Sequence, residues 1–94
     1  MSLFTENLQI LTNMSKKIDK ATATTKDLAT VESLIKIFIE QSEAGYYNEV
    51  ERNILVYTAQ HEADEIREII RINADIKKIS KEIDKARRKE AKTA

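Results

Sequence analysis

The chain has 94 residues, no proline, no cysteine, one glycine and one histidine, with charged residues at 34% and aromatic residues at 5%. That composition suits a small all-α domain and excludes a disulfide scaffold, a thiol nucleophile and a thiolate metal site. Net charge is zero, but residues 77–94 hold eight bases against three acids, leaving an equal acidic surplus upstream. Most of that surplus falls between Glu43 and Glu68, so the chain is an electrostatic dipole that biases orientation and partner choice.

Residues 3–20 are predicted to form an amphipathic helix. Phe4, Leu8, Leu11, Met14 and Ile18 follow near-heptad spacing, and Ser2 is placed to cap the first turn. The segment 21–25, Ala-Thr-Ala-Thr-Thr, is a weak point. Threonine loses side-chain freedom in a helix and competes for its hydrogen bonds, and Thr24 with Asp27 resembles a helix start. The apolar spacing Leu11, Met14, Ile18, Ala21, Thr25, Leu28 nevertheless runs through it. The segment is read as a kink or break, with a true loop as the alternative.

A second helix is expected over 26–44, with a broad apolar face that includes Leu28, Val31, Ile35 and Phe38. Gly45 is the natural left-handed residue after its C-cap. Tyr46 and Tyr47 would close the end of the bundle, and Asn48 with Glu51 would cap the next helix. From about 48 to 90 the pattern is one helix, with 91–94 fraying. Ile54, Leu55, Val56 and Tyr57 are apolar on consecutive positions, which requires burial from more than one side. Farther along, Ile69, Ile72, Ile76, Ile79, Ile83 and Ala86 are spaced three, four, three, four, three. This is a heptad seam with isoleucine at both apolar positions.

Two folds fit. In the favoured one, residues 3–44 and 48–90 make a long antiparallel hairpin about Gly45, the stripe 4–18 lies on the seam 69–86, and copies associate into a coiled-coil bundle. In the other, residues 3–20 fold back at 21–25 into a three-helix bundle, and the seam projects and self-associates. Both expect an oligomer with Leu28, Val31, Ile35, Phe38, Ile54, Tyr57, Ile69, Ile72, Ile76, Ile79 and Ile83 as core and seam. A dimer is favoured, and a trimer or larger assembly comes second.

Chemistry-bearing constellations are sparse. His61 and Glu65 share a helix face within the cluster His61, Glu62, Asp64, Glu65, Glu68, read as a solvated acidic surface without the Glu-x-x-His of carboxylate-bridged metal bundles. One glycine cannot build a phosphate-cradling loop, and no serine has a histidine at helical spacing. No enzyme, cofactor or metal is expected. The basic row Lys77, Lys78, Lys81, Lys85, Arg87, Arg88, Lys89 is the candidate polyanion contact. In the hairpin it would be joined by Lys16, Lys17 and Lys20. The run Gln60-His61-Glu62-Ala63-Asp64-Glu65-Ile66-Arg67 is similar to a stretch of the Rop family of small RNA-binding helical hairpins. It covers under a tenth of the chain and serves as an architectural analogy. The expectation is a non-enzymatic, cytoplasmic, oligomeric helical interaction protein without a membrane span, docking a protein partner, with nucleic-acid binding at the basic end as the alternative.

Overall fold

Three helices account for almost the whole chain in the computed structural model, which describes residues 2–93, with side chains described through Glu90. They are α1 (Leu3–Lys17), α2 (Thr25–Glu43) and α3 (Glu49–Thr93). The 45 residues of α3 span about 67 Å at ~1.5 Å per residue, and this one helix sets the 70 Å long axis of a molecule 20 by 17 Å across. The fray expected at 91–94 falls at the edge of the described residues: α3 runs to Thr93, and Ala94 lies outside them.

Each helix starts where the sequence supplies a cap. The Ser2 hydroxyl accepts from the Thr5 N–H at 3.2 Å. Asp27 accepts from the Thr24 N–H at 3.0 Å and from its hydroxyl at 3.3 Å. Asn48 and Glu51 complete a reciprocal pair at 2.8 and 3.1 Å. Between α2 and α3, Gly45 has φ of +87°. Around it the Tyr46 N–H reaches the Gln41 carbonyl at 3.1 Å and the Gly45 N–H reaches that of Ser42 at 3.0 Å. This double closure satisfies carbonyls that the last turn of α2 would otherwise leave open.

The segment 18–24 is a loop, not a kinked helix. Ile18 and Asp19 have extended backbones, Lys20–Thr22 make one 3-10 turn, and the Asp19 carboxylate accepts from the Ala21 N–H at 3.0 Å. The side chains that weaken a helix here supply the alternative hydrogen bonds.

That loop decides the topology. Asn7 meets Tyr47, Ser15 meets Glu62, Lys20 meets Glu65, and Ala21 meets Asn73. Numbers rise together, so α1 runs parallel to α3. Glu32 meets Arg67, and the α2–α3 turn is tight, so α2 runs antiparallel to both. The long hairpin is therefore corrected: the stripe 4–18 does not lie on 69–86 but folds back on the wide part of the α2–α3 pair. Leu11 joins Phe38, Tyr47, Leu55, Val56 and Ala59 in one cluster, and Ala23, Val31, Ala63 and Ile66 form the next. Two neighbours now cover apolar breadth on α2 and α3 that one neighbour would leave wet. Leu11, Val31, Phe38, Leu55 and Ile66 are the largest fully buried side chains, each worth roughly 1.5–3 kcal/mol of apolar burial.

Beyond about Asn73 no other helix among the described residues accompanies α3. Its last twenty residues project about 30 Å from the three-helix head.

Candidate functional site

The face of α3 that leaves the head begins inside it. Counting back from Ile69 by sevens reaches Glu62 and Leu55, and both are buried on the side of α3 that α1 covers. Ser15 donates to Glu62 Oε2 at 3.0 Å, and the Lys20 ammonium lies 3.4 Å from the same oxygen and pairs with Glu65. The helix α1 ends at Lys17, and its cover ends with it. The same line of α3 then continues as Ile72, Ile76, Ile79 and Ile83, which are 43%, 54%, 54% and 48% exposed. Ile69 is half-buried against the head. The isoleucine ladder is the open end of a groove whose closed end α1 fills.

The expected seam residues divide. Val31 and Phe38 are fully buried, and Leu28 and Ile35 pack half-buried against them. Ile54 and Tyr57 lie outside the core of the head: both face outward, at 43% and 66% exposure, while Leu55 and Val56 point inward. The inner line of α3 reads Leu55/Val56, Ala59, Ala63, Ile66. The two alanines are completely buried because α1 and α2 both approach there and leave no room for larger side chains. Of the two tyrosines at the turn, Tyr47 is buried and Tyr46 is exposed, so one ring closes the end.

Tyr47 belongs to a polar cluster that apolar spacing alone does not reveal. Its hydroxyl donates to Gln41 Oε1 and accepts from Asn7 Nδ2, which also donates to Gln41 Oε1 at 2.8 Å. Burial pushes the Tyr47 hydroxyl above the usual tyrosine range, opposed by its bond to Asn7. Among the described residues, Asn7 and Glu62 are the buried polar ones. Both carry a signal in the sequence, since Asn7 sits three after Phe4 and four before Leu11, and Glu62 sits seven before Ile69.

The acidic cluster is tied into ion pairs. His61 Nε2 lies 3.1 Å from Glu65 Oε1 on a solvent-facing edge, Arg67 bridges Asp64 at 2.7 Å and Glu32 at 2.9 Å, and Arg71 pairs with Glu68 and Asp75. The bond from Lys20 holds the Glu65 carboxyl below its ordinary range and raises Lys20 in turn. The bond between Arg71 and Glu68 likewise lowers the Glu68 carboxyl. Among the described residues no three His, Asp or Glu side chains converge to hold a metal.

The basic residues separate into two groups. Lys77, Lys78, Lys81, Lys85, Arg87, Arg88 and Lys89 are exposed on the projecting part of α3. Lys20 is engaged by Glu62 and Glu65, and Lys16 lines a shallow cleft with Thr58 and Glu62. Sixteen residues of helix separate Glu65 from Lys81, about 24 Å. The expected joint patch of 16–20 with 77–92 is therefore corrected: α1 folds back and carries its lysines to the acidic side.

No described helix is long and apolar enough to cross a membrane. The chain matches no known family, no curated protein and no solved structure.

Proposed function

We propose that this chain is a non-enzymatic assembly protein: a small three-helix head that presents a projecting helix to a second helix, in the first place that of its own copy. The observation that carries the reading is the line Ile72, Ile76, Ile79, Ile83, all about half exposed on a stretch of α3 that no other described helix covers. Contiguous apolar surface of this kind on an otherwise charged helix marks an interaction site. Isoleucine at both heptad positions supports self-pairing. A cytoplasmic location and a further protein partner belong to the same proposal.

The test is sedimentation equilibrium of the full chain beside the Ile76→Asp/Ile79→Asp variant. The wild type is expected to be oligomeric at tens of micromolar, and the variant monomeric with the urea midpoint of its head within experimental error of the wild-type monomer. A wild type that stays monomeric at several hundred micromolar overturns the reading.

A second reading rests on the seven bases that the projecting helix exposes. Nucleic-acid phosphates would bind them with an affinity falling steeply with salt, and Arg87→Glu with Arg88→Glu would weaken it. A gel shift that shows nothing at low salt removes that reading.

A further inference from the structure

We infer that the cover of the isoleucine ladder is the same ladder of a second copy, running antiparallel, so that two heads sit at opposite ends of one rod. This rests on the self-assembly reading above and specifies its geometry.

The spacing is the first argument. Three, four, three, four, three reads the same in both directions. Reversed about the midpoint between Ile76 and Ile79, it sets Ile76 against the partner's Ile79, Ile72 against the partner's Ile83, and Ile69 against the partner's Ala86. Every apolar position finds an apolar position, and the two-fold axis makes the interface identical on both chains.

Sterics disfavour parallel pairing. A parallel partner entering along this face would meet α1 and the loop after it, which already lie on Leu55 and Glu62 through Leu11, Ser15 and Lys20. It would have to splay away as soon as the ladder reached the head. An antiparallel partner approaches from the free end instead. Its Ala86 arrives at Ile69, short of the cover over Glu62, beside the open groove between residues 21–25 and Ile70, Asn73, Ala74, Ile76 and Lys77.

Charge gives the third argument. Parallel alignment lays the basic stretch 77–89 of one copy beside that of the other. Antiparallel alignment instead sets the partner's Arg87, Arg88 and Lys89 at the level of Glu68, Arg67 and Ile66, within a turn of Asp64 and Glu65. The unfavourable contacts are Lys77 and Lys78 beside the partner's Lys78 and Lys77 about the axis, and Asp75 against the partner's Glu82, which the two-fold axis repeats. The last is softened because Asp75 already has Arg71 at 3.3 Å, and Glu82 is flanked by Lys78 and Lys85 on its own helix. The balance favours antiparallel pairing.

The chain has no cysteine of its own, so single cysteines report orientation cleanly. Ile72→Cys and Ile83→Cys are prepared separately and mixed, then oxidised with a mild disulfide exchange buffer. Interchain disulfide is expected in the mixture, at least tenfold above either variant alone. Small-angle scattering of the unmodified protein gives a second readout. The antiparallel rod should be about 90 Å long, against little more than the 70 Å of one chain for a parallel pair. Efficient self-linking of Ile72→Cys alone, an oligomer that no combination links, or an oligomer near 70 Å long overturns the orientation and leaves the assembly reading standing. A monomeric mass removes both.

Discussion

Gly45 and Tyr47 show how much a single residue of the α2–α3 turn carries. Nothing lies within 4 Å of where a Cβ on Gly45 would sit, so a substitution there meets no clash and feels only the φ of +87°. Gly45→Ala should therefore cost about 1–2 kcal/mol, the usual penalty for an L-residue in the left-handed region. Urea denaturation is expected to give that loss with an unchanged slope. Tyr47→Phe removes the hydroxyl that joins Asn7 to Gln41 and should cost about 1 kcal/mol or somewhat more, because the buried Asn7 amide and the half-buried Gln41 are each left with one partner fewer. The sign of its pH dependence comes from burial. A hydroxyl raised in the folded state stabilises fully below the unfolded tyrosine pKa, and that contribution disappears as pH rises through the folded value. Wild-type stability should fall in that alkaline window, and the Tyr47→Phe variant should lose this component of the fall.

Among the elements, α1 is the one whose place the sequence left ambiguous. Its caps, its stripe and the weak segment after it are all legible: Ser2, the Phe4–Ile18 spacing and the threonines 22, 24 and 25 say what they turn out to do. What the residues do not encode is the partner. Leu11, Met14, Ile18, Ala21, Thr25 and Leu28 keep heptad spacing across a loop, and a heptad stripe fits any neighbour of similar width. The choice is made by tertiary gain, because α1 folded back covers Phe38, Leu55 and Val56, whereas α1 extended would cover only the narrow ladder. The same gain explains why Leu55 and Val56 are inside while Ile54 and Tyr57 are outside, which periodicity around four consecutive apolar residues could not separate.

The junction of α1 with α3 has its own pH signature. The bond from Lys20 lowers the Glu65 carboxyl, so the stabilisation is present above the unfolded glutamate pKa and is lost as pH falls through the lowered folded value. Acidification should loosen α1 before the α2–α3 pair, seen as faster amide exchange at residues 7–15. Lys20→Met should flatten that dependence. Both partners are substantially exposed, so the effect is a small fraction of total stability.

At the scale of the molecule, the head and the projecting helix answer to different forces. The head has a closed core. The last twenty residues of α3 have no other described helix packed against them, and they lack the tertiary packing that supplies most of a helix's stability in proteins. Assembly is what would hold them. If the antiparallel arrangement brings the basic end of one copy to the acidic stretch of the other, raising salt from 50 to 500 mM should weaken association severalfold, since partly exposed pairs are screened. A parallel arrangement would strengthen under the same change. Acidic and basic regions are legible as charge counts, and the ladder as spacing. That the ladder continues the line α1 covers emerges only once Glu62 and Leu55 are placed beneath Ser15 and Leu11.

The most direct measurement is amide hydrogen exchange of residues 76–86 as a function of protein concentration, with residues 55–66 as the internal reference. Protection of 76–86 is expected to rise with concentration in step with the oligomeric fraction, while 55–66 stays protected throughout. Protection of 76–86 that stays equally high in dilute, monomeric protein, or equally low in concentrated protein, would contradict the account.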